Sequence, residues 1–215
     1  MLNGNETGIV YTQLRDFLFD KFKQGDQRHL KNNEVRHALA AADRGNDVYL
    51  PDRLKPKMYG AVLVGEGGNI WQGKWWLKKL WKGIHYTNAG YDAIPPVMNA
   101  VLHWQNDYPS GKVSQKHLGL QKLVVASRGD APTPLYRDRQ AILELDEMLR
   151  RYRGDNVPLP VELVQVNGKD VTVKQTNVDE WLPHPFSPGA FRMDDVILAE
   201  LIKYVGADEA RKAFA

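Results

Sequence analysis

The sequence predicts an α+β fold on three observations. Several segments carry apolar residues at helical spacing, β-branched runs flank Asn167-Gly168, and no apolar window approaches 18 residues. The expected architecture is an N-terminal helical half packed with helices and a small antiparallel sheet containing a β-hairpin. At 215 residues the chain is long enough to bury a core as a single domain. A subdivision near residue 90 would separate a basic-aromatic helical half (1–90) from a helix-plus-hairpin half (91–215).

The first helix is expected over about Val10–Lys23, where Val10, Leu14, Phe17, Leu18 and Phe22 share a face. A second is expected from Asn33 to about Ala42, capped by Asn32, with Val35, Ala38, Leu39 and Ala42 turned inward. Asp52–Val64 is ambiguous, because Pro56 and Gly60 weaken a helix and Ala61–Val64 also reads as a short strand. Gly65, Gly67 and Gly68 then make a turn before a strand-like Asn69–Gln72. Two helices, a third element, a turn and a strand have the outline of a winged helix, in which Arg36, His37, Lys55 and Lys57 would meet nucleic acid.

From Gly73 to Ile84 the spacing predicts a helix with Trp76, Leu77, Leu80, Trp81 and Ile84 on one face. Lys74, Lys78 and Lys82 line another face, with Lys79 beside them. Pro95 and Pro96 open the next helix, with Val97, Met98, Val101, Leu102 and Gln105 inward. A strand is expected at Leu120–Ala126. The long helix Leu135–Tyr152 follows, with Ile142, Leu145, Leu149 and Tyr152 on its apolar side. The hairpin Val161–Lys174 should turn on Asn167-Gly168, placing Val164, Val166, Val171 and Val173 on one face. A helix at about Met193–Val205 and a short one after Gly206 close the chain.

Composition narrows the function. The absence of cysteine excludes disulfides, thiolate metal sites and a cysteine nucleophile. The opening MLNGNETGIVY has no basic region followed by an apolar one, so the expected location is cytoplasm or a host cell's interior rather than a secreted space. A net charge of +3 does not by itself argue for nucleic acid.

Chemistry-bearing motifs are sparse. The loop Gly65–Gly68 lacks the lysine and hydroxyl of a phosphate-binding loop. Of Glu144, Asp146 and Glu147 on the long helix, the adjacent Asp146 and Glu147 project about 100° apart and do not share a ligand face, so the set reads as a solvated surface, no metal site is expected and the cofactor is left open. Glu162 and Lys174 echo the acid and lysine of metal-dependent nucleases, without the expected order of residues. Ile84-His85-Tyr86-Thr87 has the H-x-T form of two-histidine phosphoesterases, but no second copy accompanies it.

The run from Trp71 to Lys82 stands out, with four of the six tryptophans and four lysines. Lysines neutralise phosphates, and an accessible indole stacks on an unpaired base. The same pattern also fits a buried stripe with a solvated back. The expected function is nucleic-acid binding, to DNA or RNA, through Lys74, Trp75, Lys78, Lys79 and Lys82, with Arg36, Lys55 and Lys57 as further contacts. One alternative is a small enzyme acting on nucleic acid, a base-modifying transferase or nuclease, with His85, Tyr86 and Asp92 carrying the chemistry. A second is a non-catalytic assembly subunit that docks a protein partner through its aromatic segment.

Overall fold

The computed structural model describes residues 23–24, 27–45, 59–77, 93–107, 118–132, 134–181 and 194–214. The expected helix at Val10–Lys23 lies outside these residues except at its end, where Lys23–Gln24 form a strand, β1. After a 3₁₀ turn at Gln27–Lys31 comes helix α1, Asn33–Gly45. The Asn32 carbonyl accepts its first helical bond from Arg36, and Val35, Ala38, Leu39 and Ala42 are buried as their spacing predicts.

The chain then enters strands β2 (Tyr59–Gly65) and β3 (Ile70–Gly73), joined by the glycine turn. Two short strands, β4 (Trp76–Leu77) and β5 (Ala93–Ile94), pair with each other. Next come α2 (Pro96–Asp107), β6 (Leu120–Arg128) and α3 (Tyr136–Arg153). The hairpin β7 (Pro160–Asn167) and β8 (Asp170–Asn177) leads to α4 (Val178–Trp181), α5 (Asp194–Val205) and α6 (Ala207–Lys212).

The fold is α+β, around a six-stranded sheet of order β1-β8-β7-β6-β2-β3. Every neighbouring pair is antiparallel except β6–β7, which is parallel. A parallel pair needs a long crossover, and α3 supplies it. The sheet is therefore mixed, not the antiparallel one expected. Nor is the first half simply helical or a winged helix: residues 59–73 supply two strands of the main sheet. Their pairing explains why the sequence misled. β2 is buried at all seven positions, so it shows no alternation and reads equally as helix or strand.

The sheet has an apolar layer on each face. On one, α1 lays Val35, Ala38 and Leu39 over Val62, Val64, Val124 and Ala126, continuous with Val164, Val166 and Val171. On the other, Tyr59, Ala61, Leu63, Leu123, Val125, Val161 and Leu163 join one core with the inner residues of α2 and α3, and α5 packs against those helices, its Tyr204 ring 5.1 Å from Trp104. The α2 stripe is rotated from expectation: Val97 and Val101 are buried, and Trp104 joins them while Met98, Leu102 and Gln105 stay partly open. In α3, Ile142, Leu145 and Leu149 are buried, and Gly154 ends the helix in the left-handed region with φ 70°. Ile197, Leu201 and Tyr204 bury the inner face of α5.

Two further expectations are corrected. The expected helix from Gly73 to Ile84 does not form at its start: Gly73 ends β3, and Trp76 pairs with Ile94 as strand. A Cβ on Gly73 would lie 1.9 Å from the Pro96 carbonyl oxygen, so the close approach of β3 to α2 requires glycine there. The hairpin turns one residue later than expected, on Gly168-Lys169, with Asn167 opposite Asp170. Pairing shifts by an even step, Val164 to Val173 and Val166 to Val171, so all four valines keep one face.

Gly168 sits at the first central position of that turn with φ 61°, which a β-branched side chain resists. Gly168→Val is expected to lower stability by about 1 kcal/mol or more in chemical denaturation. Leu149, at 1% exposure, should cost about 2–5 kcal/mol when cut to alanine. Unchanged midpoints in both variants would contradict this packing.

Candidate nucleic-acid interface and the buried carboxyl beneath it

β3 delivers the start of the basic-aromatic run to the N-terminus of α2. The Lys74 amide donates to Asn99 Oδ1 at 3.1 Å, fixing the backbone while the lysine side chain stays exposed. Trp75 is half-buried, its ring packed against the core and meeting Tyr59 edge-on at 5.5 Å. Trp76 and Leu77 then pair with Ile94 and Ala93, so the chain leaves and re-enters at one place beside α2.

This edge of the sheet is tied from both sides. The Gln72 amide donates to the His37 carbonyl and its Oε1 accepts from Arg44 at 2.7 Å, both on α1. From α2, His103 Nδ1 lies 2.7 Å from the Gln72 carbonyl. Such ties occupy polar groups that a bare edge strand would offer to another chain.

Of the expected contacts, Lys74 and Trp75 are adjacent and accessible at this edge. Arg36 is exposed but stands on α1, across the sheet from the layer against which Trp75 packs, so the two do not form one patch. Lys55, Lys57, Lys78, Lys79, Lys82, His85, Tyr86 and Asp92 lie outside the described residues. With Gly73 and Trp76–Leu77 in strands and Lys74 and Trp75 between them outside any helix, Lys74 cannot begin a helical row, and that spacing argument fails at its first member.

The acid and lysine of the hairpin are also separated. Lys174 pairs with Leu163 and shares its face, whereas Glu162 lies beside Val124 on the α1 face. There Lys122 bridges Glu162 and Glu34, at 3.7 and 3.8 Å. A shared metal between Glu162 and Lys174's neighbourhood is ruled out by the sheet itself. Among the described residues no group of three or more His, Asp or Glu side chains could hold a metal ion. The acidic set on α3 is not wholly solvated: Glu144 is exposed, but Asp146 is buried. Asp146 accepts from Arg150 at 3.0 Å and from the Leu159 amide at 3.2 Å, tying α3 to the approach of β7.

Beneath Trp75 lies a group the sequence reading did not single out. Asp138, in the first turn of α3, is fully buried. Its Oδ2 accepts from the Tyr59 hydroxyl, and its Oδ1 from the Met98 amide at 2.8 Å. Tyr59 in turn accepts from the Leu135 amide at 3.1 Å. One carboxyl thus joins β2, α2 and α3, and satisfies amides at the starts of both helices. Burial pushes its pKa up to about 6, while the Tyr59 hydroxyl and the Met98, Val97 and Leu135 amides pull the other way. Asp146 is pushed up to about 6 as well, by burial opposed by Arg150. An acid in a helix's first turn is a common feature of exposed helices, so no local signal marks Asp138 as buried.

No family model matches the chain. No curated protein matches it either. Among solved structures, the chain is similar to a crystal structure of cytidine deaminase from Burkholderia pseudomallei, with a TM-score of 0.44 and 18% identity. That alignment covers 70% of this chain and 98% of the deaminase. Among the described residues, no helix is long and apolar enough to cross a membrane.

Tyr59→Phe removes the hydroxyl that serves both Asp138 and Leu135, and should cost about 1–3 kcal/mol in urea unfolding. The pH dependence has a definite sign. A carboxyl raised from 3.8 to about 6 on folding takes up protons in the native state, so its contribution is greatest in acid and declines as pH rises through about 6. The stability of the native chain minus that of Asp138→Asn should therefore fall between about pH 4 and about pH 6, by on the order of 2 kcal/mol, then level off. A difference that is flat or rises would refute the buried, raised carboxyl.

Proposed function

We propose that the chain binds nucleic acid, DNA or RNA, through the segment that begins at Lys74 and Trp75. The observation that carries this reading is the pairing of an exposed lysine with an anchored, half-open indole at one edge of the sheet. A lysine there neutralises phosphate, and a tryptophan held by its inner edge loses little freedom when a base stacks on its open part. Lys78, Lys79 and Lys82 follow within a few residues, so up to four phosphates lie within reach of one stretch of chain.

A second reading, an enzyme acting on nucleic acid, draws on the β4–β5 pairing. It returns the chain from His85, Tyr86 and Asp92 to the place from which Lys74 and Trp75 depart.

Binding of unrelated single- and double-stranded oligomers at several salt concentrations tests both. Four phosphate contacts predict a slope of about −3 to −4 in log affinity against log salt. Lys74→Glu should weaken every sequence alike and reduce the slope by about 1, because phosphate contacts carry no base identity. Turnover of a bound oligomer would select the enzyme. No binding at low salt, with self-association instead, would select the assembly role.

A further inference from the structure

We propose that Asp138 is a positioning residue for Trp75, acting through Tyr59, so that a buried carboxyl which touches no ligand sets the pose of the indole offered to a base. Its consequence for binding rests on the nucleic-acid reading above; its geometry does not.

The contacts form an unbroken chain. Asp138 accepts from the Tyr59 hydroxyl, and the Tyr59 ring meets Trp75 at 5.5 Å with an interplanar angle of 69°. Trp75 lacks a second anchor of this kind: among the described residues its buried Nε1–H has no hydrogen-bond partner. The phenol is itself held at two points, by Asp138 and by the Leu135 amide, so its ring cannot shift without breaking one of them.

Among the described residues, the groups that face Asp138 are few. From β2 comes only the Tyr59 phenol, since Tyr59–Gly65 carries no charged side chain. From α2 come the Val97 and Met98 amides, in an uncharged first turn, Pro96–Asn99. Its own helix adds the neighbours Arg137 and Arg139, and an Arg139 Nη1 donates to the Trp181 carbonyl at 2.9 Å. Lys74, on the Trp75 side, points its charge to solvent.

Protonation changes the link at its centre. Ionised, Asp138 is acceptor-only, and the phenol donates to it in a short charge-assisted bond. Protonated, one carboxyl oxygen becomes a donor, so the bond to Tyr59 is neutral and longer or reverses direction. The titration at about 6 places that change within an accessible range. Tyr59 relaxes, and the edge contact that orients Trp75 relaxes with it.

The test follows the Trp75 indole N–H resonance in full-length protein labelled at tryptophan nitrogen, assigned with Trp75→Phe, between about pH 5 and about pH 7.5. In the wild type it should move with a midpoint near 6; in Tyr59→Phe and Asp138→Asn it should stay still. If Asp138→Asn does not fold, Tyr59→Phe decides alone. In a second arm, Tyr59→Phe should bind single-stranded oligo-dT several-fold more weakly at neutral pH with an unchanged salt slope, because the phosphate contacts remain. A resonance that is static in the wild type, or titrates alike in the variants, overturns the proposal. So does an affinity for oligo-dT that Tyr59→Phe leaves intact. If the wild type binds no oligomer, the nucleic-acid reading falls, and the indole titration still decides whether Asp138 positions Trp75.

Discussion

The hydrogen bonds of Asp138 are the constraint on which the arrangement around Trp75 depends. A buried carboxyl is unfavourable unless its oxygens are matched by donors, and here the Tyr59 hydroxyl and the Met98 amide come from two elements far apart in sequence, with the Leu135 amide donating in turn to Tyr59. Tyr59 sits at the start of β2, Met98 in the first turn of α2, and Leu135 just ahead of α3. Because the matching is mutual, displacement of any one element strands polar groups on the other two. That penalty is sharper than the loss of apolar contact, which declines gradually with distance.

The same junction explains why Lys74 and Trp75 are where they are. β3 can reach α2 only because Gly73 has no side chain, and its Lys74 amide is then taken by Asn99. Trp75 follows onto Tyr59, and the β4–β5 pair closes the base of the excursion. An exposed lysine is thereby placed next to a partly open indole on a scaffold held by backbone contacts. Folding thereby fixes the Lys74 backbone and the Trp75 ring, while the Lys74 side chain remains exposed.

Much of this was legible in the residues, and the misses have physical causes. α1, α3 and α5 announce themselves because each buries a single apolar stripe, so apolar spacing and burial coincide. The hairpin valines survive a shifted turn because an even slip leaves every side chain on its face. By contrast, Lys74, Lys78 and Lys82 fit a helical period while Trp75, Trp76 and Leu77 equally suit a strand. Pairing with Ala93 and Ile94, which no local pattern reveals, settles residues 76 and 77 as strand. Asp138 and Asp146 look like ordinary helix-surface acids; only the arrival of Tyr59, Met98 and Leu159 from elsewhere shows them to be interior groups. Glu162 and Lys174 show the reverse, since proximity in a hairpin suggests a shared site that strand alternation forbids.

The most direct measurement of the central claim is amide hydrogen exchange at Leu135 and Met98, comparing wild type with Tyr59→Phe under native conditions. Amides at the start of a helix have no partner within it and exchange readily unless a side chain takes them. Removing the phenol oxygen takes the 3.1 Å acceptor from Leu135 and leaves it only the Asp138 carboxyl, so exchange at Leu135 should rise several-fold, while Met98 keeps its bond to Asp138 and amides in β6 are unmoved. Equal protection of Leu135 in the two proteins would contradict the account, because the hydroxyl would then not be what holds the start of α3 to β2.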